Sequence, residues 1–196
     1  MNERSLQPWR KRVAATARTM AELGLTHWSS GNVSARVGGQ LVITPSGVPY
    51  GRLQPRQIVA LDLAGNVAPG AGVPSSEWRL HVALYRARED IKCVVHTHSP
   101  AATAAACRGE LVPVTHEARI FLGDRVPVSS PAPPGSWELA EAVSRSLGDG
   151  CVALIGKHGA VTVGDRLERA LALAVLLEEA ARTEQAAPAQ CTDKEK

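Results

Sequence analysis

The stretch CVVHTHSP, residues 93–100, decides how this chain is read. Its first half is small, apolar and β-branched, which is the composition of a buried strand. Side chains alternate along a strand with period two, so His96 and His98 point the same way. Their attachment points are then roughly 6.5–7 Å apart at about 3.3 Å of rise per residue. Two imidazoles at that spacing can converge on one metal ion, at roughly 2.0–2.1 Å from each nitrogen. They could also be two polar residues ending a strand, because H-x-H is a short motif.

On either side of this strand, short strands and amphipathic helices follow one another without strict alternation. Leu6, Trp9, Val13, Ala17, Met20 and Leu23 recur at helical spacing, and Gly24 is a plausible stop. NVSARV (32–37) and QLVITPSG (40–47) read as strands around a Gly-Gly turn, and QIVALDLAG (57–65) as a third. A helix is expected from Ser75, with Trp78, Val82 and Tyr85 on one face. PAATAAAC (100–107) reads as a helix of small residues, and LVPVTH (111–116) and RVPVSS (125–130) as extended. A helix capped by Ser136 follows, then the strands CVALI (151–155) and GAVTVGD (159–165). The segment from Arg166 to Gln185 is rich in strong helix formers. The pattern predicts a mixed or largely antiparallel sheet covered by helices rather than a doubly wound parallel one. One domain is expected over 1–196, with a core at about 8–184 and a polar, frayed tail at 185–196.

Composition narrows the function. Of 196 residues, 44 % are hydrophobic and 21 % charged, so the chain can bury a core; aromatics are only 4 %, so that core is mostly Ala, Val and Leu. A net charge of +3 is too small to imply nucleic acid, and the basic cluster Arg4, Arg10, Lys11 and Arg12 reads as a solvated helix face. No run approaches a membrane span. The first 25 residues are charged and lack a continuous apolar stretch, so no secretory signal is read. Cys93, Cys107, Cys151 and Cys191 are widely spaced without C-x-x-C, which fits reduced thiols in the cytoplasm. No G-x-G-x-x-G follows a strand, and no P-loop is present.

Two further residues join the histidine pair. In LIGKHGA, His158 directly follows an apolar strand, and Gly159 after it permits a sharp turn or close backbone approach. Three neutral imidazoles would make an open zinc site with a position left for substrate. Glu77, in GVPSSEWRLH, sits at the start of a helix. It is either an acid favoured by the helix dipole or a general base beside the metal. His81 lies one turn further on the same face and reads as a packed structural histidine, with a supporting role behind the ligands as the alternative.

SSGNVSAR (29–36), LVITPSGVPYGRL (41–53), PSSEWRLHVALY (74–85), VVHTHSPAATA (94–104) and KHGAVTVGDRLERAL (157–171) stand in an order that resembles the class II aldolase/adducin family, and within it the L-fuculose-phosphate aldolase branch. The resemblance implies a three-layer α/β/α fold with a central, mainly antiparallel sheet. It implies a divalent metal, usually zinc, with manganese or cobalt as other possibilities, held by His96, His98 and His158. Glu77 matches the acid that ligates the resting metal and then acts as base. The substrate phosphate would be held by Gly31 and Asn32, Ser46 and Gly47, and Ser75 and Ser76. Those residue types suit the task, since helix N-termini and glycine-rich turns offer N–H groups to anions, although SSGN and PSG are also ordinary turn sequences.

The implied enzyme is a homotetramer with interfacial active sites. It would cleave a ketose 1-phosphate resembling L-fuculose 1-phosphate into dihydroxyacetone phosphate and an aldehyde, through a metal-stabilised enediolate. An unmetallated Glu77 against an apolar wall would have its pKa raised toward the working range. Two departures concern the aldehyde end. The branch carries a tyrosine where VTHEARIFLG has Glu117, beside His116, and a second in a C-terminal segment that this chain lacks. Tyr50 and Tyr85 match neither position. Glu117 or His116 from a neighbouring subunit could stand in, although charged residues there read more simply as a surface loop. The same site elsewhere in the family supports 4-epimerisation, dehydration or decarboxylation of sugar phosphates. SSE, where the epimerases have SSD, favours the aldolase. A non-catalytic adducin-like interaction domain is the alternative of another class.

Overall fold

The computed structural model describes residues 3–68 and 70–187. The tail reading from 188 onward, and Cys191, lie outside them. Helix α1 (Glu3–Glu22) buries Leu6, Val13, Ala17 and Met20 and gives way to Gly24 at φ +70°. Strands β1 (Asn32–Val37) and β2 (Gln40–Ile43) form a hairpin closed by Gly38 and Gly39, and β3 (Val59–Asp62) follows. Then come α2 (Trp78–Ala87), β4 (Cys93–Thr97), α3 (Pro100–Arg108), α4 (His116–Leu122), β5 (Val128–Ser129), α5 (Trp137–Leu147), β6 (Val152–Ile155), β7 (Gly159–Gly164) and α6 (Leu167–Ala186).

The strands make one sheet in the order β3-β2-β1-β4-β7-β6-β5. Each pairing is antiparallel except β5 with β6. Strand β4 runs through the middle, and the period-two alternation of its side chains divides the core. Cys93 and Val95 pack with α1 and α6, whereas Val94 packs with α2 and α5. Helices α3 and α4 close the α6 side over β6 and β7. The result is the expected three-layer α/β/α arrangement. Because β4 is covered on both faces, it needs an unbroken apolar run rather than an alternating one, and CVV supplies it. Val94 and Val95 are both 0 % exposed, and burying each contributes about 1.5–3 kcal/mol. His96 has the parity of Val94, so it opens toward α2.

Three local readings change. VTHEARIFLG is helical rather than a loop: the Thr115 hydroxyl accepts from the Ala118 N–H at 3.2 Å and starts α4. LVPVTH forms no strand, and of RVPVSS only Val128–Ser129 pairs. Helix α2 begins at Trp78, with Glu77 at its N-cap position rather than inside the first turn. The backbone at Glu77, with φ −98° and ψ 19°, has not yet entered the helix, which leaves its side chain free to turn toward the sheet.

Candidate metal centre

The register of the central strands builds the site. Asn32 on β1 pairs with His96 on β4, and β4 pairs in turn with β7, Thr97 opposite Ala160. His96 therefore stands between Asn32 and the turn that carries His158. His98 lies one residue past the end of β4 but keeps the alternation, and its ring centroid is 4.7 Å from that of His96. His158 occupies the β6–β7 turn after Lys157, whose φ of +58° folds the chain back. Gly159 then packs so tightly that a Cβ would overlap the Thr97 carbonyl oxygen and press on both the His96 and His98 rings.

The three imidazoles present one nitrogen each to a common point. His98 Nε2 is 2.9 Å from His96 Nε2 and 3.2 Å from His158 Nε2. Nitrogens held tetrahedrally around one ion at about 2.05 Å would be about 3.3 Å apart. Glu77 closes the fourth side, with Oε2 2.9 Å from His96 Nε2 and Oε1 3.2 Å from His158 Nε2. The ligand atoms of all four residues lie within 4.8 Å of one another. His96 Nδ1 is 2.9 Å from the Ala160 carbonyl, to which only an N–H can donate. Its Nε2 is then the nitrogen turned to the cluster: protonated, it donates to the Glu77 carboxylate, and deprotonated, it is the nitrogen that would serve a metal. Glu77 Oε1 is buried without a hydrogen bond. Convergent imidazole nitrogens beside a buried carboxylate oxygen without a hydrogen bond fit a divalent cation of the zinc type.

The electrostatics follow from burial and proximity. Burial pushes the Glu77 carboxyl up, but His96, by its charge and its hydrogen bond, and then His158 and His98 outweigh it, so the acid is held well below its usual range. The raised value expected for Glu77 is therefore not what this arrangement gives. Burial alone would lower His96, but the Glu77 carboxylate raises it above its ordinary value. His98 is pushed down to about 3, by burial first and then by its two imidazole neighbours. His158 is lowered for the same reasons.

Glu77, His98 and His158 open onto a cavity of about 610 Å³, with His96 wholly buried behind them. Gly31, Asn32, Ser46, Gly47, Ser75 and Ser76 all line that same cavity. Gly31, at φ +67°, lies so close over β4 that a Cβ would strike the His96 carbonyl. Asn32 Nδ2 donates to Ser75 Oγ at 3.0 Å and to Glu77 Oε2 at 3.1 Å. The segments expected to hold phosphate are thus tied to the acid itself.

Some lining residues carry no signal in the sequence. Pro131, Ala132 and Pro134 form an apolar wall, and Lys157 stands beside His158. The loop bearing that wall is fixed by the Arg79 guanidinium, which donates to the Gly135 carbonyl at 3.1 Å. The two tyrosines are interior: the Tyr50 hydroxyl donates to the Gly31 carbonyl, and the Tyr85 hydroxyl meets Ser34. Glu117 lines a separate groove with Ile120, Phe121, Arg166 and Arg169, so within one chain it does not face the histidines.

Comparison with known proteins agrees with this geometry. Residues 11–185 match the family model for the Class II Aldolase and Adducin N-terminal domain. The chain is 39 % identical over 166 residues to a 5-methylthioribulose-1-phosphate/5-deoxyribulose-1-phosphate aldolase of Escherichia coli O45:K1, covering 84 % of this chain and 77 % of that protein. It is 36 % identical over 165 residues to the L-fuculose phosphate aldolase of Escherichia coli K12, covering 84 % and 76 %. A solved L-fuculose 1-phosphate aldolase superposes with a TM-score of 0.86 at 27 % identity, covering 91 % of this chain and 85 % of that one.

Proposed function

The chain belongs to the class II aldolase and adducin family, and from that premise we propose that it is a metal-dependent aldolase, a carbon–carbon lyase. It cleaves a ketose 1-phosphate into dihydroxyacetone phosphate and an aldehyde. One observation carries the reading: three imidazole nitrogens and a buried carboxylate meet at one end of a cavity whose other walls are rich in Ser and Gly and include Asn32. A divalent metal held by His96, His98, His158 and Glu77, zinc for preference, would supply Lewis-acid polarisation of the substrate carbonyl. A non-catalytic interaction domain has no use for an acid buried among three imidazoles.

The protein's own groups have defined tasks. Gly31, Asn32, Ser46, Gly47, Ser75 and Ser76 bind the phosphate, Ser75 and Ser76 from the N-terminal approach to α2, where an anion is favoured. The ionised Glu77 takes a proton from the carbon next to the carbonyl in condensation and returns it there in cleavage. In cleavage the C3–C4 bond breaks, its electrons pass toward the carbonyl, the C4 hydroxyl proton passes to solvent water as the aldehyde forms, and Glu77, protonated from solvent, delivers a proton to C3. The apolar wall of Pro131, Ala132 and Pro134 supports an aldehyde with an apolar end, as in deoxy or methylthio sugars. The names of the relatives, which act on methylthioribulose, deoxyribulose and fuculose phosphates, point the same way.

A homotetramer with interfacial sites belongs to the same proposal. Ile120 and Phe121 on α4 are 65 % and 58 % exposed, an apolar face that supports contact between subunits. A cytoplasmic setting is supported by free Cys93, Cys107 and Cys151. Among the described residues, no helix is long and apolar enough to cross a membrane.

The test is cleavage of L-fuculose, L-rhamnulose, 5-deoxyribulose and 5-methylthioribulose 1-phosphates by zinc-loaded protein, measured as dihydroxyacetone phosphate released. Glu77→Gln should lower kcat by about 10²–10⁴-fold. If the wild type cleaves none of the four, the aldolase reading fails, and dehydration or decarboxylation of a sugar phosphate takes its place.

A further inference from the structure

A line of buried polar side chains runs from Glu77 away from the cavity, between α2 and the sheet. Asn32 Nδ2 holds Glu77 Oε2 at 3.1 Å. On its other side, Asn32 Oδ1 meets His81 Nε2. His81 Nδ1 is 2.6 Å from Ser34 Oγ, which is 2.6 Å from Tyr85 Oη. His81 and Tyr85 are both 0 % exposed, as is Ser34, and Asn32 is 1 % exposed.

The chemistry of these atoms permits one arrangement of protons. The Glu77 carboxylate accepts only, so Asn32 must turn its NH₂ toward it and its Oδ1 toward His81. An amide oxygen also accepts only, so His81 carries its proton on Nε2. Its Nδ1 is then a lone pair that takes the Ser34 hydroxyl proton, and Ser34 accepts from Tyr85. Flipping the Asn32 amide would set two acceptors against each other at Glu77 and two donors against each other at His81. Burial pushes the His81 imidazole down to about 3, so it is neutral and can fill both roles.

We propose that His81 is a positioning residue for Glu77: by donating from Nε2 it locks the Asn32 amide, and that amide fixes the carboxylate among the histidines. This rests on the reading of Glu77 as both ligand and proton-transfer group. It also makes the Asn32 side chain's part in holding phosphate indirect, since both hydrogens of its amide are committed, one to Glu77 and one to Ser75, which couples the phosphate side of the cavity to the acid.

The test has readouts that do not depend on the substrate. His81→Leu removes the donor, and His81→Gln restores one near the Nε2 position. Zinc affinity is measured by chelator competition, and kcat and KM on whichever ketose 1-phosphate the wild type cleaves. Groups behind metal ligands typically change affinity or activity by about 10–100-fold. The Leu variant should lose zinc affinity and kcat in that range with KM nearly unchanged, and the Gln variant should recover most of the loss. In an Asn32→Ala background, His81→Leu should cost nothing further. On the wild-type protein, ¹⁵N shifts should report a neutral Nε2–H tautomer, which keeps the proposal testable if His81→Leu does not fold. An Nδ1–H tautomer, or a folded Leu variant with wild-type zinc affinity and kcat, would overturn it. So would additive losses in the Asn32→Ala background. If the wild type cleaves no ketose phosphate while His81→Leu still weakens zinc binding, the proposed reaction fails and the positioning role stands.

Discussion

Glu178 offers a quantitative test of how α3, which follows His98, is held. It lies on α6, 3 % exposed, and reaches across to the start of α3. Its Oε1 accepts from the Ala101 N–H at 3.1 Å and its Oε2 from the Ala102 N–H at 2.9 Å. Helix α3 has no side-chain cap of its own: Ser99 occupies the cap position, but its hydroxyl is buried without a partner. Glu178 therefore caps the helix from 77 and 76 residues away. Hydrogen bonds to charged groups contribute about 1.5–3 kcal/mol each, so Glu178→Ala should cost about 3–6 kcal/mol. Glu178→Gln keeps one acceptor and turns an NH₂ toward the other N–H, and should cost about half as much. The ion pair with Arg182, whose side chain is 63 % exposed, adds little. Urea unfolding followed by circular dichroism reads both losses as shifts of midpoint at constant slope. A loss below about 1 kcal/mol for Glu178→Ala would contradict the assignment, because two buried N–H groups cannot be orphaned so cheaply.

Gly159→Ala should cost about 1–3 kcal/mol, as overpacking does, and should also weaken zinc binding. The new methyl must force β7 away from the Thr97 carbonyl and the two rings beside it, and a variant with wild-type zinc affinity would refute that close packing. In chelator, stability should fall as pH is lowered from about 6.5 toward 3. His81 and His98 are held near 3 instead of 6.5, so in that window the unfolded chain takes up protons that the folded chain refuses. Each contributes a slope of up to about 1.4 kcal/mol per pH unit. His96, raised above its ordinary value by Glu77, opposes them, since its contribution is present at low pH and lost as pH rises. Urea midpoints at pH 6.5 and 5 measure the balance, and a midpoint that rises on acidification would contradict it.

What the sequence made legible was whatever depends on neighbours along the chain. The run CVV followed by H-x-H announced a doubly covered strand aiming two imidazoles one way, and Ser136 marked a helix start that its hydroxyl now caps at 3.0 Å to Leu139. The helix at 116–122 is hidden in the sequence because charged residues such as Glu117 and Arg119 suit an exposed loop as well as a helix, although Thr115 stands in the cap position. The late start of α2 was missed because Ser75 and Ser76 are good caps in their own right. Ser75 instead spends its hydroxyl on Asn32 and on the Glu77 N–H at 3.3 Å. The line through His81 could not be read, because its partners lie 47–51 positions apart and meet only through strand register.

In the proposed reaction, the register of β1 against β4 bears on which bond would be broken. Asn32 is fixed opposite His96, and Gly31 is pressed onto the His96 carbonyl, so the Gly31–Asn32 turn cannot slide relative to the histidines. On the proposed reading, the span from phosphate to cation is then a ruler of set length, built from backbone rather than from long side chains. A sugar phosphate is placed by counting bonds from its phosphorus to the pair of oxygens it offers the cation. Moving the phosphate by one carbon shifts a different bond over Glu77. If the proposed aldolase reaction holds, loop changes around residues 131–134 alter which aldehyde is accepted, while the position of cleavage stays locked in the sheet.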